Sequence, residues 1–190
     1  LVGSEMCIRD RAVCISLAGN SSVSRAASGY KIKVNKQKNC VTIYKMNANG
    51  KYKPVKAMVC STGAATPVGT FPLGEKMRWH TLIGPCYGQY CTRIHGGILF
   101  HSVWYYKPSP STLSSEAYNR LGTTASHGCV RLTVADAKWI YDNVPSGSPV
   151  TVYNSSKPGP LGKPSGIRLP SSSRWDPTDV WSLSLIHISE

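Results

Sequence analysis

Short alternating segments on either side of an Asn-Gly pair constrain the fold of this chain most strongly. Residues 40–44 (CVTIY) and 55–60 (VKAMVC) flank the sequence NANG at positions 47–50. Asn-Gly favours a tight hairpin turn because both residues tolerate positive φ. Segments of similar character, rich in β-branched and aromatic residues, lie at 30–34, 70–73, 90–94, 98–100 and 150–153. The pattern predicts a mainly β fold.

Two segments favour helices. Residues 114–121 are predicted to form a short one, and residues 133–144 a longer one that Thr133 caps, with Asp136 three residues later as in a capping box. Apolar residues recur at helical spacing in the longer segment, at Val134, Ala137, Tyr141 and Val144. We therefore predict a strand-rich domain with minor α content and one well-formed helix near its end.

The charge balance is strongly basic, with 22 Lys and Arg against 9 Asp and Glu and a formal net charge of +13. Such a surface attracts polyanions. An anionic cell wall is one candidate partner, and a merely solubilising surface is the alternative. We expect no nucleic acid partner, because the chain has no zinc-finger or RNP-type motif. No run of about 18 apolar residues occurs, so we predict no transmembrane segment.

Composition shifts divide the chain into five parts. Residues 1–11 (LVGSEMCIRDR) and 182–190 (SLSLIHISE) resemble translated sequencing-adapter read-through, and we interpret both as non-native tails, with ordinary disordered tails as the alternative. Residues 12–29 are small and polar and are predicted to be a linker that includes the end of a signal peptide. Residues 30–154 form the predicted domain, and 155–181 a Pro/Ser-rich extended tail packed partly along it.

Cys129 is the candidate nucleophile. It lies in the sequence ASHGCVRL (125–132), directly after Gly128, two residues after His127 and just ahead of the capped helix. Glycine allows a tight backbone turn that brings a thiol and neighbouring N–H groups to one point. The thiolate is the reactive form, and a nearby histidine favours it. The alternative is a small buried cysteine beside a histidine packed in the core.

A second histidine-containing stretch supplies a candidate base. In RIHGGILFHS (93–102), His101 ends an apolar strand, and a strand end holds a general base rigidly. His95 competes for this role, but the Gly-Gly that follows it indicates a turn.

Taken together, FHS at 100–102, SHGCVRL at 126–132 and TPVGTF at 66–71 resemble the L,D-transpeptidase (YkuD) family over about residues 30–154. The resemblance implies curved mixed sheets that form a sandwich or barrel with a packed helix. It also implies a secreted, cell-wall-associated bacterial acyltransferase that needs no cofactor. Such an enzyme cross-links peptidoglycan through a cysteine thioester, joining the third residues of two stem peptides in a 3→3 link.

The resemblance also assigns roles to individual residues. Cys129 matches the nucleophile, His101 the general base, and Ser102 the residue whose backbone carbonyl orients that histidine. Arg131 matches a position that is often Asn in the family, and an arginine there could bind a substrate carboxylate. The loop whose backbone N–H groups form the oxyanion hole comprises Ser126, His127 and Gly128.

One departure from the family is the longer interval between His101 and Ser126. Its extra part, WYYKPSPSTLSSEAYNRLG (104–122), is interpreted as a lid over the cleft. Tyr105 and Tyr106 within it are predicted to contact the substrate.

Three other functions remain open. A metal site could use His95, His101, His127 and Cys129, although no HExxH or CxxC spacing supports it, and we predict no metal. A non-catalytic wall-binding module would suit the basic charge. An L,D-carboxypeptidase would use the same fold and the same donor tetrapeptide, with water in place of the acceptor amine.

Seven cysteines are an odd and high number, which predicts disulfides together with a free thiol in an extracytoplasmic protein. If the hairpin turn is centred on Asn49-Gly50, Cys40 and Cys60 lie opposite each other or one residue out of register, close enough for a candidate bridge. Cys86 and Cys91 could close a second, small loop. The alternative is that all of them are free thiols.

Overall fold

The computed structural model describes residues 29–180 of the protein. The predicted tails at 1–11 and 182–190, and the predicted linker apart from its last residue, lie outside the described residues. In chain order the elements are β1 Tyr30–Asn35, β2 Cys40–Met46, β3 Tyr52–Val59, β4 Gly69–Pro72, β5 Lys76–Thr81, β6 Tyr87–His95, β7 Ile98–Ser102, a 3-10 helix Pro110–Thr112, α1 Ser115–Asn119, β8 Val130–Leu132, α2 Val134–Asn143 and β9 Pro149–Tyr153.

These strands form two mixed sheets, which confirms the predicted mainly β class. The five-stranded sheet has the order β3-β2-β1-β9-β4, in which β1 and β9 are parallel and the other pairs antiparallel. The four-stranded sheet has the order β5-β6-β7-β8, in which β7 and β8 are parallel. Parallel strands cannot be joined by a short hairpin turn. The chain accordingly makes long connections between the members of each parallel pair, from β1 to β9 and from β7 to β8.

Both sheets and α2 contribute to one hydrophobic core. Inward-facing residues of the alternating strands are fully buried, as the period of two requires, and α2 adds its own apolar face. Buried members of this core include Ile32, Val34, Val41, Ile43, Phe100, Val130, Ala137, Ile140, Val150 and Val152. Each fully buried Val, Ile or Phe stabilises the fold by about 1.5–3 kcal/mol relative to an exposed one.

The two sheets are also linked through the backbone just after β3. Ser61 and Arg131 exchange two backbone hydrogen bonds, at 2.9 and 2.8 Å. This pairing continues the four-stranded sheet beyond β8 with residues that leave the five-stranded sheet. The segment that follows β3 therefore lies directly beside the chain around Cys129.

The β2–β3 hairpin forms, but not through the predicted turn: Gly50 has a φ of 70° and Asn49 has no positive φ. Met46 pairs with Tyr52, and the Asn47 N–H donates to the Lys51 carbonyl, so the turn is longer than a two-residue Asn-Gly turn. The hairpin register pairs Cys40 with Val59 and places Cys60 one residue further along. Neighbouring residues of a strand point to opposite faces, so Cys40 and Cys60 do not face each other. Both thiols are free, and so are those of Cys86 and Cys91; neither candidate disulfide is formed in the structure.

Both predicted helices are present, with shorter bounds than expected. The Thr133 hydroxyl caps α2 by accepting from the Asp136 N–H at 3.2 Å. The buried face of α2 includes Ile140, which takes the place in the core that we predicted for the half-buried Tyr141. Two strands were not predicted. β5 (KMRWHT) shows no alternation in burial, since all its residues except the last are half-buried, and β8 has just three residues.

Residues 155–180, hereafter the strap, run along the surface of the domain, and residues 155–179 contain no helix or strand. Near the start, the Asn35 side chain donates to the Ser155 carbonyl at 3.1 Å. In the middle, Asn119 Nδ2 donates to the Leu169 carbonyl and Asn119 Oδ1 accepts from the Leu169 N–H. These hydrogen bonds fix the path of the strap across the domain.

Candidate active site

The parallel pairing of β7 with β8 brings the two candidate catalytic residues together. Phe100 pairs with Val130 and His101 with Arg131. Cys129 directly precedes β8, the strand that pairs with β7, so it lies close to the strand that carries His101. Both side chains line one cavity of about 710 Å³. A histidine and a cysteine that are 28 positions apart in the sequence thus share one cleft.

His101 is held in a single orientation by its own strand. Its side chain is 1% exposed, and Nδ1 lies 2.5 Å from the Ser102 carbonyl oxygen. A carbonyl can only accept, so in the neutral imidazole Nδ1 carries the proton and Nε2 is unprotonated. Gly88 of β6 packs against the ring, since a Cβ there would lie 3.0 Å from Nδ1. The contact with Ser102 is the one predicted for this residue.

Hydrogen bonds from the segment after β3 hold residues 125–129, hereafter the Cys129 loop. The Ala125 and Ser126 N–H groups both donate to the Thr62 carbonyl, at 3.0 and 3.1 Å. Thr66 Oγ1 donates to the Gly128 carbonyl at 2.7 Å and accepts from the Gly63 N–H at 2.8 Å.

Within the loop, Ser126 Oγ donates to the Cys129 carbonyl at 2.6 Å. The predicted loop residues Ser126, His127 and Gly128 also line the cavity. The geometry of the loop is therefore set by hydrogen bonds to its backbone groups, some of them from the side-chain hydroxyls of Thr66 and Ser126.

Close approach limits which residues fit at Gly63 and Gly128, and it is tightest at Gly63. A Cβ on Gly63 would lie 2.3 Å from the Ser126 carbonyl oxygen and 2.7 Å from the Gly128 nitrogen. A Cβ on Gly128 would lie 2.7 Å from Ile98 Cδ1. A side chain at Gly63 would push the Cys129 loop out of place, whereas at Gly128 the end of the Ile98 side chain would have to move.

The protonation states of the pair follow from burial. Burial lowers the pKa of His101 to about 4; the hydrogen bond to Ser102 opposes this, and the charge of Arg131 adds to it. Burial also raises the pKa of the Cys129 thiol, against a backbone hydrogen bond from Leu99 and the charge of Arg131. Thiol and imidazole are therefore both neutral at rest, and the thiol proton must pass to the imidazole as the sulfur attacks.

Arg131 lies where a substrate carboxylate could reach it. It lines the cavity, and its Nη1 donates to the Ala125 carbonyl at 2.9 Å. The guanidinium thus helps to hold the Cys129 loop, and its remaining donors are compatible with the predicted contact to a carboxylate.

The YkuD family, described as the L,D-transpeptidase catalytic domain, matches residues 29–152. The chain belongs to this family. Its Cys129 loop, His101 strand and TPVGTF element all lie within the matched range.

A curated relative and several solved structures are similar to this family member. The putative L,D-transpeptidase YciB of Bacillus subtilis (strain 168) is 44% identical over 92 residues, which cover 46% of this chain and 46% of that protein. The match thus spans about half the length of this relative.

Among solved structures, an L,D-transpeptidase from Mycobacterium tuberculosis H37Rv has 26% identity and a TM-score of 0.50 over 67% of this chain and 58% of its own. A fused Zn-dependent amidase/peptidase/peptidoglycan-binding domain-containing protein from Clostridium acetobutylicum ATCC 824 has 26% identity and a TM-score of 0.50. The match covers 66% of this chain and 52% of that protein. The LD transpeptidase LdtMt1, in a complex with imipenem, has a TM-score of 0.50 at 23% identity, over 66% of this chain and 59% of its own. At this identity the likeness shows a shared fold and nothing more.

The segment 104–122 does not form the lid that we predicted for this L,D-transpeptidase domain. Tyr105 is 0% exposed and packs edge-on against Trp79, with ring centroids 5.3 Å apart. The prediction that Tyr105 contacts the substrate is wrong, because its side chain belongs to the core. Tyr106 is 57% exposed but is not part of the cavity lining. The segment contributes a different aromatic residue, Trp104, to the cavity wall.

Another part of the cavity lining comes from the end of β5 and the β5–β6 connection, which the sequence analysis did not identify. His80, Leu82, Ile83 and Cys86 line the cavity there. Thr66 and Gly63 also belong to the site, but the sequence analysis did not identify them as site residues. The TPVGTF motif contains Thr66 and was the available signal, but its role in holding the loop depends on tertiary contacts.

The remaining candidates lie elsewhere or form no site. His95 is exposed at the end of β6 and stacks on Phe71, with ring centroids 4.6 Å apart. Within residues 29–180, no group of three or more His, Cys, Asp and Glu side chains is arranged to hold a metal ion. Over the same residues, no helix has the length and apolar character needed to cross a membrane.

Proposed function

We propose that this L,D-transpeptidase domain forms 3→3 peptidoglycan cross-links through a thioester on Cys129. One observation carries the proposal: the Ser102 carbonyl fixes the proton of His101 on Nδ1 and leaves Nε2 basic, in the cavity that also holds the Cys129 thiol. This is the arrangement required of a base that activates a nucleophile.

In the first step, the Cys129 sulfur attacks the carbonyl of the third residue of a donor tetrapeptide, and His101 Nε2 accepts the thiol proton. The carbonyl oxygen becomes an oxyanion. The Ala125 and Ser126 N–H groups already donate to Thr62, so the oxyanion donors come from the later part of the loop, at 127–129. The C–N bond then breaks, and the terminal D-amino acid leaves with the proton from His101.

In the second step, an amine on the third residue of a neighbouring stem peptide attacks the thioester. His101 accepts a proton from that amine and passes it to the Cys129 sulfur as the C–S bond breaks and the new amide forms. The chemistry balances without an oxidant or a cofactor. Arg131 at the cavity wall provides a cationic group for a stem-peptide carboxylate.

The basic chain suits the proposed location at an anionic cell wall, outside the cytoplasm. Its formal charge of +13 would concentrate the protein near a polyanionic substrate and raise the rate of encounter. This long-range attraction weakens as salt is added.

An L,D-carboxypeptidase and a non-catalytic wall-binding module can be distinguished from the proposed transpeptidase by the products that each would form. Purified protein is incubated with disaccharide-tetrapeptide muropeptides, and the products are identified by mass spectrometry. The proposal predicts released D-amino acid together with 3→3 dimers. An L,D-carboxypeptidase would yield tripeptides without dimers, and a wall-binding module would yield neither. The Cys129→Ala protein is the matched control and should form no product.

A further inference from the structure

The strap buries two carboxylates in the domain, although it lies entirely beyond the family match, which ends at residue 152. Asp176 and Asp179 are both 0% exposed. A buried carboxylate is costly unless hydrogen bonds compensate the lost hydration. Each of the two must therefore have partners that explain its position.

Asp176 has a structural explanation. Its Oδ2 accepts from the Val134 N–H at 2.9 Å, at the N-terminus of α2. Its Oδ1 accepts from the N–H and the hydroxyl of Thr178, at 2.8 and 2.6 Å. The Thr178 hydroxyl in turn accepts from the Ala135 N–H at 3.0 Å. Together these groups cap the helix, where a negative charge is favourable.

Asp179 instead contacts β6. Its Oδ2 accepts from Gln89 Nε2 at 3.1 Å, and Gln89 Oε1 accepts from Arg78 Nη1 at 2.7 Å. Gln89 is fully buried. A carboxylate on its amide nitrogen and a guanidinium on its amide oxygen leave a single orientation for this side chain.

Gln89 is connected to the imidazole through the backbone. Its N–H donates to Ser102 Oγ at 2.9 Å, and the Ser102 carbonyl is the acceptor for His101 Nδ1. Gly88, the preceding residue, is the one that packs against the imidazole ring. The part of β6 that Asp179 holds therefore forms both a wall and a support for His101.

We propose that Asp179 is a positioning residue for His101: by fixing Gln89, it keeps β6 against the imidazole and Nε2 directed at the Cys129 thiol. The strap is thereby part of the catalytic unit. The inference rests on the proposed function of His101 as the base.

The test uses the full chain and imipenem as the acylating probe, with mass spectrometry to follow the adduct over time. Asp179→Ala should lower the maximal acylation rate constant by about 10–100-fold, as expected for a displaced catalytic group, with little change in the half-saturating concentration. Asp179→Asn retains an oxygen acceptor for Gln89 and should recover most of the rate. Thr178→Val is the matched control: it weakens the cap of α2 and should leave the rate constant of the folded protein unchanged.

Equal rate constants for Asp179→Ala and Thr178→Val would overturn the inference while leaving the proposed function in place. A wild-type protein that is folded but not acylated would overturn both. If Asp179→Ala does not fold, Gln89→Met removes the same hydrogen bond from the side of β6. Slow acylation of that variant supports the inference, and a wild-type rate constant contradicts it.

Discussion

The segment 104–122 and the Cys129 loop (125–129) follow each other in the chain, yet different interactions hold them. The first buries side chains: Tyr105 and Tyr118 are among the largest fully buried residues of the domain. The second buries backbone polar groups, which pair with Thr62 and Thr66. Side-chain packing adds to the backbone hydrogen bonds of the first segment, whereas hydrogen bonds to backbone groups fix the second.

The difference shows how the domain can expose a reactive group without losing rigidity. A loop held by packing must turn its side chains inward. A loop held through its backbone can leave one side chain, the Cys129 thiol, directed into a cavity. Variants that remove a packed side chain should therefore affect stability first, and variants at the hydrogen-bonded site should affect chemistry first.

The largest effect is expected at the histidine of the site. His101→Ala should reduce turnover about 10²–10⁴-fold, because it removes the general base. The same substitution at His95, which stacks on Phe71 outside the cavity, should be mild. Muropeptide turnover measures both. Comparable losses in the two variants would contradict the assignment of the base.

The packed segment is tested by two neighbouring tyrosines. Tyr105→Ala should destabilise the fold by about 3–5 kcal/mol, as for other large aromatic residues in cores. Tyr106→Ala, at an exposed position, should change the free energy of unfolding by less than about 0.5 kcal/mol. Urea denaturation distinguishes them. A fully stable Tyr105→Ala protein with impaired substrate binding would restore the lid that we first predicted.

Stability should also depend on pH through His101. Its pKa falls from 6.5 to about 4 on folding, so between these values the unfolded chain binds a proton that the folded one does not. The free energy of unfolding therefore decreases as pH drops from about 6.5 to 4, by about 3 kcal/mol in total. Urea midpoints across this range should show the loss. The slope should be smaller in His101→Gln.

The smallest difference in stability is expected between two threonine variants of the TPVGTF element. Thr66→Val removes the hydroxyl that bonds Gly63 and Gly128 and should cost about 1–3 kcal/mol, with slower acylation of Cys129. Thr70→Val changes an exposed hydroxyl whose partner is Thr151 and should be nearly neutral. Thermal melting with parallel imipenem labelling compares them. Slower acylation in Thr70→Val alone would show that the loop is not held as described.

The parts that could be predicted from the sequence are those with local signals. The β2–β3 hairpin, the alternating strands and the Thr133 cap each depend on a few neighbouring residues, and all are present, although the turn of the hairpin is longer than predicted. His101 and Cys129 could be paired because both lie in recognisable motifs. The contact between His101 and Ser102 is likewise local, since it joins adjacent residues.

The parts that could not be predicted depend on long-range packing. Tyr105 and Tyr106 are chemically identical neighbours, and only the tertiary fold decides which of them is buried. The bulge between Ile43 and Tyr44 shifts the hairpin register by one residue, which turn counting cannot foresee. Asp179 meets Gln89 across 90 positions of sequence, and nothing local to the strap indicates that contact.

The central claim, a thioester on Cys129, is tested most directly by labelling the intact protein with imipenem and mapping the adduct by peptide mass spectrometry. Cys86 lines the same cavity and provides an internal control. The account predicts one adduct per chain, located on Cys129, lost in Cys129→Ala and retained in Cys86→Ser. An adduct on Cys86, or labelling that persists in Cys129→Ala, would contradict it.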